Sequence, residues 1–250
     1  MVSLSGSAHD LFQIDGDADD IRKRLVLTMT HVDHFIAPPC VDDIKILYQD
    51  DALLLIDKPS GLLSLSGKNP LNLDSVHHRL VKQFPTALMP HRLDFGTSGL
   101  LIIALNKEVA ANLNRQFQLR TVIKTYQAVL AGRVPEDDGD IHLPIAKDPV
   151  NFPKLKICFE TGKAASSHFQ VLDRPSQTDT TRVLFTPHTG RTHQLRIHSA
   201  GLGHPIVGCD LYGTVESQKM ANRLLLHATT LEFDHPISGK RMYGVSACPF

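Results

Sequence analysis

The sequence lacks any long hydrophobic run. Its longest apolar stretches are LLLI at 53–56 and LLIIAL at 100–105, far short of the roughly 20 apolar residues that cross a membrane. The first residues also lack a charged head followed by an apolar stretch, so we expect no signal peptide. These two absences predict a cytoplasmic protein with no membrane partner.

Closely spaced cysteines are also absent. The four cysteines, Cys40, Cys158, Cys209 and Cys248, are scattered and form no C-x-x-C pair. This spacing favours free thiols in a reducing compartment over a disulfide framework or a zinc site. We therefore expect no bound metal.

The sequence has no excess of basic charge, because it contains 26 basic and 26 acidic residues. That balance counts mildly against a nucleic-acid binder, in which a basic excess is usual. The charges are unevenly placed, however. Basic residues gather at Lys154 and Lys156 and again at Arg191 and Arg196, so a local basic face remains compatible with a neutral average.

Residues 1–28 show no apolar period and are rich in Ser, Gly and Asp, which predicts a disordered tail. Met29 precedes the first clear structural pattern, so the tail can also be an upstream extension of a start at Met29. We expect one catalytic domain over 29–250. The short, acidic N-terminal segment predicts no additional RNA-binding domain, and we expect a monomer.

The pattern of residues 44–250 indicates an α+β fold. Strands are predicted on both sides of Q-D-D in IKILYQDDALLLIDK, in LLIIAL, in TVIKTYQAVLAG, and in several segments from LKICFE to TRVLFTP. Helices are predicted after Asp74, taken as an N-cap with the helix running to Pro85, after Asn106, and in the segment that ends at Gly201 or Gly203. RLLLHATTLEF and RMYGVSA predict a final hairpin.

The stretch HRLDFGTSG at 91–99 resembles the kinase motifs H-R-D and D-F-G, but its spacing excludes a kinase. A kinase needs two aspartates on two loops, one for the substrate hydroxyl and one for magnesium. Here Asp94 would have to be both. The sequence also contains neither G-x-G-x-x-G nor a Walker motif.

Two other kinds of site are disfavoured by spacing. His188, His193 and His198 recur every five residues, which matches neither face of a helix or strand, so we read them as turn and surface histidines. Ser98 in G-T-S-G lacks the G-x-S-x-G spacing of an esterase nucleophile. We expect it to bond to the local backbone.

Three residues, Asp94, Tyr126 and Arg196, carry the case for catalysis only in combination. Singly, an Asp beside Gly most often supports a turn, a strand Tyr is most often packed, and an Arg most often forms a structural ion pair. Lys124 and Tyr126 are two apart on a predicted strand, so they point to the same face.

The motifs around these three residues resemble those of the RluA family of pseudouridine synthases. HRLDFGTSG, DKPSGLL at 57–63, KTYQAVLAG at 124–132, GRTHQLRIH at 190–198, GHPIVGCDLYG and RLLLHA occur in the family's order and cover roughly residues 44–246. CFETGK and RLLLHATTLEF resemble in particular the compact member that modifies both a transfer-RNA anticodon stem-loop and 23S ribosomal RNA.

The resemblance implies a mixed, mainly antiparallel sheet with flanking helices and a central RNA-binding cleft. It implies that uridine is isomerised to pseudouridine with neither cofactor nor metal, because the reaction involves no redox change and no hydrolysis. Asp94 would be the required ionised carboxylate, and Arg196 beside it would favour its charged form. Tyr126 would lie against the uracil, where it can stack and help move the C5 proton.

The resemblance also implies substrate contacts. Arg92 would fill the space that the flipped uridine leaves, and Leu195 would contact the substrate. For Lys124 and Arg191, phosphate contacts and a solvated surface role remain equally open. Whether Asp94 attacks C1′, attacks C6 or removes a sugar proton also stays open. A rival interpretation is a catalytically inactive RNA-binding module or RNA chaperone on the same fold.

Overall fold

The computed structural model describes residues 35–250. Our predictions of a tail at 1–28 and of a domain beginning at residue 29 fall on, or begin within, residues outside that range. The described residues form eleven strands and four α-helices, with two short 3-10 helices. This composition confirms the predicted α+β class.

The strands in this range are β1 (Lys45–Gln49), β2 (Leu53–Lys58), β3 (Ser98–Ala104), β4 (Ile123–Ala131), β5 (Asp138–His142), β6 (Ile145–Lys147), β7 (Leu155–Ile157), β8 (Ser166–Asp173), β9 (Thr180–Pro187), β10 (Leu226–Asp234) and β11 (Arg241–Val245). The helices are α1 (Val76–Leu80), α2 (Lys107–Leu119), α3 (Gln194–Gly201) and α4 (Val215–Lys219), and the 3-10 helices span Pro70–Asn72 and Pro149–Asn151.

Nine of these strands form one sheet in the order β1-β2-β3-β10-β4-β9-β8-β5, with β11 also paired to β10. The β3–β10 pair is parallel and the other pairs are antiparallel. The predicted mixed, mainly antiparallel sheet is therefore confirmed. β6 and β7 form a separate two-stranded sheet.

Strand β3 is buried along its whole length because helices cover both faces of this half of the sheet. On one face Leu100 and Ile102 pack with Val109 and Leu113 of α2. On the other face Leu101 and Ile103 belong to the cluster that contains α1. Burial of both faces explains why LLIIAL reads as a continuous apolar run.

Strands β3 and β10 approach closely at Gly99, the last glycine of HRLDFGTSG. Gly99 has φ +111°, and a Cβ there would lie 2.3 Å from the carbonyl oxygen of Ala228 on β10. A side chain is therefore excluded. This contact joins the loop that carries Asp94 to the centre of the sheet.

Of the two predicted helix N-caps, one is confirmed and one is wrong. Asn106 caps α2 as predicted, with its side chain accepting from the Val109 N–H. The predicted N-cap Asp74 is wrong. Ser75 caps α1 instead, because Asp74 is held in an ion pair with Arg79.

The predicted length of α1 is also wrong, because the helix ends at Leu80, well before Pro85. The chain continues as a turn in which the Phe84 N–H donates to the Leu80 carbonyl. Across residues 35–250, no helix combines the length and apolar character needed to cross a membrane.

Candidate active site

All seven residues singled out from the sequence line one cleft of about 660 Å³. They reach it from three places: the loop before β3, strand β4, and the segment that runs into α3. They are Arg92, Asp94, Lys124, Tyr126, Arg191, Leu195 and Arg196. The structure thus brings together residues that are more than 100 positions apart in the chain.

The loop that carries Asp94 is held by the DKPSGLL segment and the serine that follows it. Ser64 is buried, and its hydroxyl both donates to the Leu93 carbonyl at 2.7 Å and accepts from the Leu93 N–H at 3.1 Å. Ser60 donates to the Gly96 carbonyl at 2.7 Å. The backbone is therefore fixed on both sides of Asp94.

Lys58 reinforces this attachment from below the loop. Its side chain is fully buried, and Nζ donates to three carbonyl oxygens, those of Pro59, Leu62 and Phe95. Burial lowers the pKa of Lys58 to about 7, while the three acceptors satisfy all of its donors. A role for DKPSGLL follows that its sequence alone did not assign: it positions the Asp94 loop.

His91 joins the same loop to β3. Its Nε2 accepts a hydrogen bond from the Ile102 N–H at 3.0 Å, and its ring packs on Phe117 of α2 with centroids 4.6 Å apart. Burial, with a smaller effect of the Lys124 charge, lowers the pKa of His91 to about 3. The imidazole is therefore neutral at physiological pH and acts as a fixed acceptor.

Arg196 lies between two carboxylates. Its NH1 is 3.9 Å from an Asp94 oxygen, while NH2 forms a short hydrogen-bonded ion pair with Asp210. Its Nε donates to the Cys209 sulfur at 3.3 Å. Arg196 thus forms an ion pair with Asp94 but no hydrogen bond. The donors of Arg196 turn towards Asp210 and Cys209 instead.

These neighbours stabilise the charged form of Arg196. Its side chain is only 5% exposed, against 25% for Asp94 and 71% for Asp210. Burial acts to lower the pKa of Arg196, but the contact with Cys209 and the charges of Asp94 and Asp210 outweigh it, so the pKa is raised. A permanent positive charge therefore lies beside the Asp94 carboxylate in the lining of the cleft.

The turn before α3 sets the positions of Arg191 and Arg196. The Gln194 amide oxygen accepts from the Thr189 hydroxyl at 2.6 Å and from the Arg191 N–H at 2.9 Å. The residue before the helix, His193, has φ +57°, which is unusual for a non-glycine residue. Functional sites often hold such strained backbone in place by surrounding contacts.

Tyr126 and Lys124 point from β4 into the cleft, as the two-residue spacing predicted. Burial raises the pKa of Tyr126, and the Asp94 charge raises it further. The phenol is therefore neutral at physiological pH. Burial lowers the pKa of Lys124.

The remaining three predicted residues differ in their exposure and in their contacts. Arg92 is exposed at the mouth of the cleft and has no ion-pair partner within residues 35–250. Arg191 is half-buried, and its Nε donates to the Ala164 carbonyl at 3.1 Å. Leu195 is buried and packs with the core while lining the cleft.

Two predictions about other side chains are wrong. Ser98 does not bond to the local backbone: its hydroxyl accepts from Arg223 at 2.5 Å and lies 2.8 Å from Nδ1 of His227. His198 is not a surface residue: it is fully buried and bonds to Ser167 and to the Leu143 carbonyl. Spacing alone did not reveal these partners, because each lies more than 30 residues away.

Asp210 and Tyr212 contact Arg196 behind the cleft lining, and the sequence did not single them out. Asp210 pairs with Arg196, and the Tyr212 ring centroid lies 5.4 Å from the Arg196 guanidinium carbon. Both belong to GHPIVGCDLYG, a motif recognised without roles for its members. In the described part of the chain, no group of three or more His, Cys, Asp or Glu side chains is arranged to hold a metal ion.

Comparisons with known proteins show the family to which the chain belongs. Residues 52–201 match the family model for RNA pseudouridylate synthase. The chain is 46% identical over 198 residues to the dual-specificity RNA pseudouridine synthase RluA of Yersinia pestis, covering 79% of this chain and 96% of the relative. The protein of the same name from Escherichia coli (strain K12) is 43% identical over 205 residues, covering 82% and 93%.

A solved structure, human RNA pseudouridylate synthase domain containing 1, superimposes with a TM-score of 0.72 at 32% identity and covers 85% of this chain and 86% of that one. The resemblance identified from the motifs is therefore confirmed. The chain belongs to the RluA family of RNA pseudouridine synthases.

Proposed function

We propose that this protein isomerises uridine to pseudouridine in structured RNA, with Asp94 as the catalytic carboxylate. The observation that carries the proposal is the pairing of Asp94 with the buried Arg196 in a cleft that also holds Arg92, Lys124 and Tyr126. Cations along the cleft suit a phosphate backbone, and the half-buried carboxylate suits chemistry on a flipped base.

The reaction exchanges one bond of the base for another. The bond from N1 to C1′ breaks, the uracil turns, C5 bonds to C1′, and the proton lost from C5 is balanced by one gained at N1. Atoms and oxidation level are conserved, so no step calls for a cofactor or metal. The three open routes all use the ionised form of Asp94.

The other cleft residues have distinct proposed roles. Arg196 holds the charge of Asp94 without occupying its oxygens. Tyr126 presents its ring to the uracil, and its neutral hydroxyl can take part in moving the C5 proton. Arg92, exposed at the mouth, fills the gap in the RNA stack, which offsets part of the few kcal/mol that flipping costs.

Lys124, Arg191 and Leu195 complete the proposed substrate surface. Leu195 supplies an apolar wall. Arg191 can reach a phosphate with the donors that Ala164 leaves free. The half-buried Lys124 lies close enough to Tyr126 on β4 to contact the same nucleotide.

We further propose a transfer-RNA anticodon stem-loop, a 23S ribosomal RNA site, or both as the substrate. The motif resemblance supports this choice, as does the dual specificity in the names of the relatives. We place the reaction in the cytoplasm, in keeping with the free thiol of all four cysteines, and propose that a monomer carries it out. Mapping pseudouridines in total RNA from a deletion strain identifies the site: losses confined to other RNAs would refute this substrate assignment but not the reaction.

Asp94→Asn tests the reaction itself. The substitution is nearly isosteric but removes the charge, so we expect pseudouridine formation to fall by a factor of about 10⁴ or more while RNA still binds. A catalytically inactive RNA-binding module would instead bind RNA without forming pseudouridine even as the wild type. An active Asp94→Asn variant would refute the mechanism.

A further inference from the structure

A small two-stranded sheet stands apart from the main sheet and carries unusual side chains. We call residues 145–163 the lysine arm; it contains β6, β7 and the 3-10 helix between them. Val150 is 87% exposed and Phe159 is 75% exposed, and Phe152 is also exposed. Four exposed lysines accompany them: Lys147, Lys154, Lys156 and Lys163.

The lysines of the arm have no acidic partner among residues 35–250. Among residues 35–250 none of the four takes part in an ion pair, and none of their side chains forms a hydrogen bond. The arm contains only two acidic residues, Asp148 and Glu160, and Asp148 accepts from Asn151. The arm therefore presents net positive charge beside exposed aromatic rings.

The arm is anchored to the wall of the active-site cleft. The Leu155 N–H of β7 donates to the Tyr212 hydroxyl at 3.0 Å, and that hydroxyl lies 2.8 Å from Nδ1 of His193, the residue before α3. Leu155 and Ile157 pack with Ile197 of α3. Arg191 of the cleft donates to the carbonyl of Ala164, directly after the arm.

From its charge, exposed aromatic rings and position, we propose that the lysine arm is a second RNA-binding surface. It binds nucleotides of the substrate RNA other than the flipped uridine. Its lysines contact phosphates, and Phe159 stacks on an unpaired base. This inference rests on the proposed function, because it takes the RNA in the cleft as the molecule that the arm holds. Within the described part of the chain these lysines have no carboxylate partner, which favours the phosphates of RNA over a protein surface as the occupant.

The test compares two charge-matched double variants of the full chain. Lys154→Gln/Lys156→Gln removes two charges from the arm. Lys45→Gln/Lys240→Gln removes two exposed charges from β1 and from the turn before β11, away from the cleft. For each protein, the Kd for a stem-loop RNA is measured over a range of salt concentrations, with the single-turnover rate at saturating RNA.

Each lost phosphate contact reduces the slope of log K against log salt by about 0.7–0.9. We expect the arm variant to have a slope shallower by about 1.5 and a Kd raised about tenfold at physiological salt. The rate at saturating RNA should match the wild type, because the arm does not touch the reacting base. The control variant should match the wild type in every measurement.

Phe159→Ala separates stacking from charge. It should weaken binding of a stem-loop with unpaired bases by about fivefold or more, leave the salt slope unchanged, and leave binding of a blunt duplex unaffected. Equal Kd values and slopes for the arm variant and the control would overturn the proposal, as would a protein or a second copy of the chain bound there instead of RNA.

The readouts keep the two proposals apart. Pseudouridine formation by the wild type in the same RNA reports on the proposed function. The difference between the arm variant and the control reports on the arm. A fully active wild type with no such difference refutes the arm alone, whereas an inactive wild type that loses RNA affinity in the arm variant refutes the reaction alone.

Discussion

Arg196 faces the Asp94 carboxylate at 3.9 Å but gives its closest hydrogen bonds to Asp210 and Cys209. The carboxylate that we propose as catalytic thus receives the field of a fixed positive charge, while its oxygens are not hydrogen-bonded by the arginine. An oxygen that must attack carbon or take a proton benefits from this arrangement, since a strong hydrogen bond to Arg196 would have to be broken first. Asp210 holds the arginine in that position.

Replacing Arg196 should separate the charge from the packing. Arg196→Met fills much of the same volume but removes the charge, so we expect turnover to fall by a factor of about 10² or more. The fold should remain largely intact, because the two carboxylates left behind are partly exposed and can be hydrated. Turnover and circular dichroism together check the prediction.

Arg196→Lys serves as the matched control for that experiment. It keeps a positive charge near Asp94, so part of the activity lost in Arg196→Met should return. A lysine variant as inactive as the methionine variant would show that shape, rather than charge, is what Arg196 contributes.

Ser64 provides a second test, this time of how the Asp94 loop is held. Ser64→Ala leaves both the N–H and the carbonyl of buried Leu93 without their partner, at a cost of about 1–3 kcal/mol in the free energy of unfolding. A displacement of Asp94 by about 1 Å can cost about 10² in rate. We expect a lower kcat with little change in the Kd for RNA.

Ser66→Ala is the control, because Ser66 is exposed and donates to the Leu73 carbonyl, away from the Asp94 loop. It should leave kcat unchanged. If Ser64→Ala turned over RNA at the wild-type rate, the bonds to Leu93 would be irrelevant to catalysis.

The sequence predicted those parts of the fold that depend on local pattern. LLIIAL is a buried strand because a continuous apolar run suits burial on both faces. Asn106 caps α2 through its own side chain, and the two-residue spacing places Lys124 and Tyr126 on the same face of β4. The errors arose where a distant or competing partner decides the outcome. Asp74 forms an ion pair with Arg79, and the Ser98 hydroxyl forms hydrogen bonds with Arg223 and His227, which lie far along the chain.

The motifs predicted residues that line one cleft, but not how these residues contact one another. The resemblance of the motifs predicted that Asp94 and Arg196 lie close together. No local pattern indicated that Asp210 would also bind the Arg196 guanidinium. The positioning of the Asp94 loop by Lys58 and Ser64 was equally hidden, since it depends on contacts between residues 37 and 29 positions apart that only the folded sheet creates.

His91 should make stability depend on pH. Its pKa is lowered from 6.5 to about 3 in the folded protein, so between these values the unfolded chain binds a proton that the folded one does not. The stabilising contribution is complete above pH 6.5 and is lost as the pH falls, by at most about 1.4 kcal/mol per pH unit. Denaturant unfolding at pH 7, 6 and 5 measures it.

His91→Gln isolates this contribution from those of the other histidines whose pKa is lowered by burial, such as His198 and His227. The glutamine keeps an acceptor for the Ile102 N–H but cannot take up a proton. The wild type should therefore lose more stability than His91→Gln between pH 7 and 5. Parallel pH profiles would mean that His91 is not the group responsible.

Residues 1–28 should be dispensable. They carry five aspartates against Arg22, Lys23 and Arg24, a net charge of −2 that gains nothing from a phosphate backbone. Three contacts hold the first described residues in place: the Asn72 amide bonds to backbone groups of Phe35 and Ala37, and Arg79 donates to the Cys40 carbonyl. Deleting 1–28 leaves all of these contacts in place.

We therefore expect a chain starting at Met29 to keep wild-type kcat/KM and to melt within about 2 °C of the full chain, a shift equivalent to less than about 1 kcal/mol. A deletion of 1–43 is the matched control. It removes the backbone partners of Asn72 and Arg79, leaving the buried Asn72 amide unsatisfied, and should lower the melting temperature by several degrees. If the shorter deletion already destabilised the protein or slowed pseudouridine formation, the acidic segment would have a role that its composition does not indicate.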